Sequence, residues 1–196
     1  MASTPYRPPV HQGLALLYLS EQLIVVNKPS GLLSVPGRGA GKEDCLSRRV
    51  QAEFPDALIV HRLDMGTSAI VVMARGARAQ RELSIQFLER RVRKRYQSLV
   101  DGRWRAAAEG EIALPIGVDG PNHPKQKVDH AMGRPSLTRY RVLDSRTTPA
   151  VSRIELEPVT GRSHQLRVHM DAMGHPILGD DFYGTPDSCA KAERLM

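Results

Sequence analysis

Residues 61–69, HRLDMGTSA, gather a histidine, an arginine, an aspartate, a threonine and a serine in one short segment with a single glycine. Apolar runs rich in β-branched residues flank it, residues 57–60 before and 70–74 after, and both read as buried strands. A polar loop gripped by two core strands restricts the chain to folds in which a rigid sheet presents that loop. Asp64 is the only carboxylate between Asp56 and Glu82, so it is the first candidate for a nucleophile or base. The same residues also fit a plain turn, with Asp64 capping the bend and Arg62 serving as a surface charge.

The chain has 196 residues, enough for one domain with a real apolar core. Its net charge of +7 favours a polyanionic partner such as nucleic acid. The charge is concentrated in residues 75–95, where Arg75, Arg78, Arg81, Arg90, Arg91, Arg93, Lys94 and Arg95 face only Glu82 and Glu89. Such a stripe grips phosphates strongly and without sequence preference; the alternative is a solvated helix face. Cys45 and Cys189 form no CxxC pair, so neither a zinc site nor a disulfide framework is indicated, and a reducing, cytoplasmic setting is the simplest reading. Residues 14–26 are apolar but interrupted by Ser20, Glu21 and Gln22, too short and polar to span a bilayer.

Along the chain, residues 1–13, with Pro5, Pro8 and Pro9, are expected to be a mobile tail, and residues 14–196 one catalytic domain. Residues 23–26 predict a strand running into the turn Asn27-Lys28-Pro29-Ser30-Gly31, and residues 32–35 an extended segment. The stretch PGRGAGK, residues 36–42, lacks phosphate-loop spacing: Gly37 and Gly41 have three residues between them, and Glu43 follows Lys42. Residues 46–54 predict a helix capped by Asp44 and ended by Pro55. Ala79, Leu83 and Phe87 at i, i+4, i+8 predict a helix over residues 76–91. Residues 94–100 predict a strand with Lys94, Tyr96 and Ser98 on one face. Residues 106–116 are harder to place, since Pro115 argues against a central strand. Residues 120–127, GPNHPKQK, read as a polar loop carrying Lys125 and Lys127. Residues 137–143 and 151–156 predict an antiparallel pair. Residues 162–173 predict a helix with Leu166, Met170 and Met173 in the core and His164, Arg167 and Asp171 on another face, stopped at Gly174 and Pro176.

Two groups beyond Asp64 carry chemistry. Tyr96 ends the basic stripe, where an aromatic ring can stack on a base, although a lone strand tyrosine also suits a core. Arg162, His164, Arg167 and His169 share the segment GRSHQLRVH, whose spacing matches no HExxH-type metal site. An arginine on that helix paired with a buried carboxylate would keep the acid ionised, the form a nucleophilic aspartate needs.

Taken together the motifs LIVVNKPSGLLSVP, HRLDMGTSA, RKRY and TGRSHQLRVHMDAMGHPILGDDFYG, in that order, resemble the RluA-type pseudouridine synthases over about residues 14–185. NKPSGLLSVPGR and NHPKQKV resemble the RluA subgroup, which lacks an appended S4-like domain. The resemblance implies an α/β (α+β) fold with a long, mixed but mostly antiparallel sheet, flanking helices and a central cleft. It implies an isomerase acting on uridine in structured RNA, 23S rRNA and the tRNA anticodon stem-loop, without cofactor or metal, as a monomer. Asp64 would be the catalytic aspartate, Tyr96 would stack on the target base and assist proton removal from C5, and Arg167 would pair with Asp64. Arg62 would fill the place of a flipped nucleotide, with Arg93, Lys94, Lys125, Lys127, Arg162 and His164 contacting RNA. Attack at C1′, attack at C6 and elimination to a glycal all use the same aspartate. Two departures stand out. Ala69 replaces a usual glycine, and related chains continue past the equivalent of residues 194–196 into a last strand, which this sequence is expected to lack. The rival reading is an RNA-binding or folding factor without catalysis.

Overall fold

The period-two alternation of Leu23-Ile24-Val25-Val26-Asn27-Lys28 sends Ile24, Val26 and Lys28 to one face, and all three are buried. This is strand β2 (Leu23–Lys28) in a computed structural model that describes residues 5–195. The chain divides into two units, 1–92 and 93–196.

In the first unit β1 (Leu16–Leu19), β2, α1 (Leu46–Glu53), β3 (Ala57–Ile59), β4 (Ala69–Arg75) and α2 (Gly76–Leu88) follow in order. The strands form an antiparallel sheet in the order β1-β2-β4-β3. Ile24 and Val26 from β2, Val71 and Met73 from β4 and Leu46 and Val50 from α1 close the core around Leu32 and Ala57. Each such side chain, fully buried, contributes roughly 1.5–3 kcal/mol. The expected strands on either side of residues 61–69 are therefore present, hydrogen-bonded to each other as β3 and β4.

Several details differ from the sequence reading. Cys45, not Asp44, occupies the N-cap of α1, and the Asp44 carboxylate instead accepts from Arg49 Nε and Nη2 at 2.8 and 2.7 Å. In the segment expected to be extended, residues 32–35, the last two form a bend. In the segment expected to be a mobile tail, two residues bond to the fold: Tyr6 Oη donates to the Asp44 carbonyl and accepts from Leu33 N, both at 3.0 Å, and Arg49 Nη2 donates to the Pro9 carbonyl at 2.6 Å. Residues 1–4 lie outside the described residues. Ala69 opens β4 without a positive φ, which is why alanine is accommodated there.

The second unit holds β5 (Tyr96–Asp101), β6 (Glu109–Ile112), β7 (Ile116–Val118), β8 (Gln126–Val128), β9 (Thr138–Thr147), β10 (Ala150–Pro158), α3 (Gln165–Ala172) and α4 (Pro186–Leu195). Its main sheet runs β5-β10-β9-β6, with the predicted β9–β10 hairpin at its centre, and β7–β8 make a separate ribbon. The fold is therefore the expected mixture of helices and antiparallel sheet, the described pairings falling into two four-stranded sheets and a ribbon. The loop read over 120–127 contains a 3-10 turn at Gly120–Asn122 and the start of β8. The predicted stripe holds: Leu166, Met170 and Met173 pack with Val100, Trp104, Ile154 and Leu156. The helix begins three residues later than expected, because His164 adopts a left-handed conformation with φ +54°. α4 has no counterpart among the expected elements, although Thr185 and Ser188 cap it reciprocally: Thr185 Oγ1 accepts from Ser188 N at 3.1 Å and Ser188 Oγ from Thr185 N at 2.9 Å.

A closed polar network seats α3 on β9. His169, fully buried, donates from Nε2 to the Leu114 carbonyl at 3.0 Å and accepts at Nδ1 from Thr138 Oγ1 at 2.9 Å. Gln165 Nε2 donates to Thr138 Oγ1 at 3.0 Å, and Gln165 Oε1 accepts from Thr160 Oγ1 at 2.7 Å. Burial pushes the His169 imidazole below its usual range, against the opposing hydrogen bond to Leu114. The unfolded chain therefore takes up a proton at higher pH than the folded one, and stability falls as the pH drops below roughly 6.5. Thermal melts from pH 8 to pH 5 are expected to show this decline in the parent and a flatter profile in His169→Gln. Parallel profiles for the two proteins would show that His169 does not carry the effect.

Candidate active site

Asp64 and Arg62 belong to the first unit; Tyr96, Arg167 and the other candidates belong to the second. In the first unit the loop between β3 and β4 is half-buried at Asp64 and exposed at Arg62. A second loop, residues 28–34, clamps its backbone. Lys28 Nζ donates to the Leu32, Pro29 and Met65 carbonyls at 2.7, 3.0 and 3.1 Å. Ser30 Oγ donates to the Gly66 carbonyl at 2.8 Å, and Gly31 N to Met65 at 2.9 Å. Ser34 Oγ donates to the Leu63 carbonyl at 2.8 Å while accepting from Leu63 N at 3.0 Å. Gly31 has φ +81°, a turn conformation that suits glycine. His61 stacks on Phe87 with ring centroids 4.6 Å apart, and its Nε2 accepts from Val72 N at 3.1 Å. The peptide units on both sides of Asp64 are thus fixed by bonds to the backbone of its neighbours.

Lys28 is 0 % exposed, and three carbonyls saturate the three donors of its ammonium. Burial pulls its pKa down to about 8, with the nearby Asp64 charge acting in the opposite direction. Sequence reasoning gives this lysine no role. The signal is nonetheless present in the alternation of β2, which assigns Lys28 to the buried register of Ile24 and Val26.

In the second unit the Arg167 guanidinium on α3 meets a buried carboxylate, Asp180. Arg167 Nε donates to Asp180 Oδ2 and Nη2 to Oδ1, each at 2.7 Å, a two-pronged pair. Asp180 Oδ1 also accepts from Phe182 N and Tyr183 N at 2.9 and 3.0 Å. Burial alone would raise the Asp180 carboxyl; the Arg167 bonds and charge, with the two backbone donors, outweigh it and hold the group below the ordinary carboxylate range. The rings of Phe182 and Tyr183 both lie 5.1 Å from the Arg167 guanidinium carbon. A Cβ on Gly184 would collide with the Asp180 carbonyl oxygen, so this loop needs glycine where it closes. Asp180, Phe182 and Tyr183 have no assigned role in the sequence reading.

The remaining candidates take separate places. Tyr96 begins β5 opposite Leu156 and packs partly against the core. Lys125, half-buried, has Nζ 6.0 Å from the Tyr183 ring centre, and Lys127 is exposed on β8. His164 Nδ1 hydrogen-bonds Tyr183 Oη at 2.8 Å. Arg162 reaches the Pro135 carbonyl at 3.4 Å from both Nε and Nη2. The basic stripe is in part internally paired: Arg75 with Asp56, Arg78 with Glu82, Arg91 with Glu89, and Arg93 with Glu157 at 2.9, 3.0, 2.6 and 3.3 Å. Exposed pairs of this kind contribute little and leave the cations available to phosphate. Among the described residues no cluster of three or more histidine, cysteine, aspartate or glutamate side chains suits a metal ion, and no helix is long and apolar enough to cross a membrane.

Comparison with known proteins gives one consistent result. Residues 22–172 match a family of sequences described as RNA pseudouridylate synthase. Over its whole length the chain is 49 % identical to the dual-specificity RNA pseudouridine synthase RluA of Salmonella typhi and 48 % to that of Escherichia coli K12, covering 89 % of each. It is 47 % identical to the protein of the same description from Vibrio cholerae, covering 79 % of it. Among solved structures, Human RNA Pseudouridylate Synthase Domain Containing 1 superposes with a TM-score of 0.77 at 31 % identity, over 94 % of this chain and 75 % of that one. Human RNA Pseudouridylate Synthase Domain Containing 4 gives 0.69 at 25 % identity, over 89 % and 70 %.

Proposed function

This chain belongs to the RNA pseudouridylate synthase family and is an RNA pseudouridine synthase; from that premise we propose which RNAs it modifies and which residues do the work. Its substrates are uridines in 23S rRNA and in the tRNA anticodon stem-loop, in keeping with the dual specificity carried in the description of relatives at 47–49 % identity. It acts as a cytoplasmic monomer without metal or cofactor.

The reaction breaks the N1–C1′ bond, turns the uracil and joins C5 to C1′; the proton leaves C5 and N1 gains one. Asp64 supplies the carboxylate. The observation that supports this assignment is its backbone setting, in which Lys28, Ser30, Gly31 and Ser34 hold Leu63, Met65 and Gly66 on either side of Asp64. A reacting group held to its position by surrounding bonds is what proximity catalysis requires. Arg167 is the counter-charge to Asp64. Its Nε and Nη2 also bond Asp180, which fixes the orientation of the guanidinium within its own unit. Tyr96 stacks on the target base and receives the C5 proton or relays it. Arg62 enters the stack vacated by the flipped nucleotide. Arg93, Lys94, Lys125, Lys127, Arg162 and His164 contact the RNA around it.

Sequencing-based mapping of pseudouridine tests the substrate assignment. Expressed in a bacterial strain deleted for its own dual-specificity enzyme, the chain is expected to restore the missing modifications in both 23S rRNA and tRNA. Restoration in one class alone would overturn dual specificity. Strong, salt-sensitive RNA binding without product in either would favour the non-catalytic reading.

A further inference from the structure

Tyr183 stands where three separate pieces of the second unit converge. Its hydroxyl oxygen accepts from the backbone N–H of Gln126 on β8 at 2.8 Å, and it is bonded to His164 Nδ1, just before α3, at 2.8 Å. Its ring lies 5.1 Å from the Arg167 guanidinium carbon and 6.0 Å from Lys125 Nζ. Its own N–H is fixed to Asp180 Oδ1 at 3.0 Å, the same oxygen that receives Arg167 Nη2. The one phenol oxygen thus accepts from Gln126 N and shares a second hydrogen bond with His164 Nδ1, the direction of which follows the imidazole tautomer. Gln126 is flanked in sequence by Lys125 and Lys127; the β7 ladder sets the register of β8, and the bond from Gln126 N to this hydroxyl ties that strand to the Tyr183 loop between the two lysines.

We infer that Tyr183 is a positioning residue that joins the lysine-bearing strand β8 to the segment carrying His164 and Arg167, so that substrate grip and guanidinium placement are set by one side chain. The hydroxyl serves the grip and the ring serves Arg167. The inference rests on the proposed RNA contacts of Lys125 and Lys127.

Tyr183→Phe separates the two contributions, because it keeps the ring and deletes only the hydroxyl. With a stem-loop RNA copied from a bacterial tRNA anticodon arm, the apparent KM under single-turnover conditions is expected to rise roughly tenfold while the saturating rate stays within about twofold. In a Lys125→Ala, Lys127→Ala background the same change is expected to add less than about twofold, since groups acting through one another are non-additive. A merely structural hydroxyl would cost the same in both backgrounds, and that outcome overturns the inference. So does an unchanged KM, or a loss confined to the saturating rate. Equilibrium binding of the same labelled RNA reads the grip without turnover, so the outcome for Tyr183 does not depend on the role of Asp64. An active Asp64→Asn enzyme would end that assignment and leave this one standing.

Discussion

Asp64→Asn is expected to abolish pseudouridine formation while the protein folds and binds RNA as before. Asparagine has nearly the same shape as aspartate, and the bonds to the backbone of Leu63, Met65 and Gly66 that fix the loop remain in the variant. What the substitution removes is the negative oxygen that bonds to carbon or takes a proton, whichever of the three chemical routes operates. Loss of a group that acts only in the reacting state lowers the saturating rate and the specificity constant together, here by at least roughly a thousandfold. Release of tritium from RNA carrying 5-tritiated uridine reads the rate, and fluorescence anisotropy reads binding, expected within about threefold of the parent. A variant working within tenfold of the parent would remove Asp64 from the centre of the mechanism.

The second large effect concerns Asp180, 7 % exposed and bonded through both oxygens to Arg167. Asp180→Ala takes a two-pronged carboxylate away from a largely buried guanidinium and removes the oxygen that accepts from the N–H groups of Phe182 and Tyr183. Breaking a buried pair from one side costs roughly 3–5 kcal/mol. For a chain of this size a loss of that order lowers Tm by about 6–20 °C. Adding Arg167→Met to the same chain removes the buried guanidinium as well, and more than half of the lost Tm is expected to return. Activity is not expected to return, because the guanidinium proposed to serve Asp64 is then gone. Calorimetry of the parent, the single and the double variant checks the first claim and tritium release the second. A single variant that melts within 2 °C of the parent would show that the pair contributes little.

Local pattern decides what can be read from the chain and what cannot. The strands around residues 61–69, the β9–β10 hairpin and the apolar stripe Leu166, Met170, Met173 follow from periodicity, which burial directly rewards. Asp64 stands out because it is a lone carboxylate between two such strands. Asp180 does not, since one carboxylate in Gly179-Asp180-Asp181 looks like its neighbour until the fold buries the first and exposes the second. The start of α3 escapes the pattern because the left-handed turn at His164 has no signature in residue type; its stabilising bond comes from Tyr183, 19 positions later. The Asp44 cap fails for a similar reason: Arg49 on the next turn competes for its carboxylate. The capping pair of α4 and the buried register of Lys28, by contrast, are written locally in the sequence, where the charged motifs outweigh them.

The single ammonium that reaches carbonyls on both loops of the first unit also limits how this enzyme can diverge. Residues 28–34 and 61–69 are yoked: an insertion or deletion in either would pull one acceptor away from an amine that solvent does not reach. The two segments must therefore keep matched lengths over evolutionary time, while stretches outside the yoke, such as residues 36–42, are at liberty to lengthen. A library built to retarget the enzyme should randomise the latter and leave the former as a fixed pair.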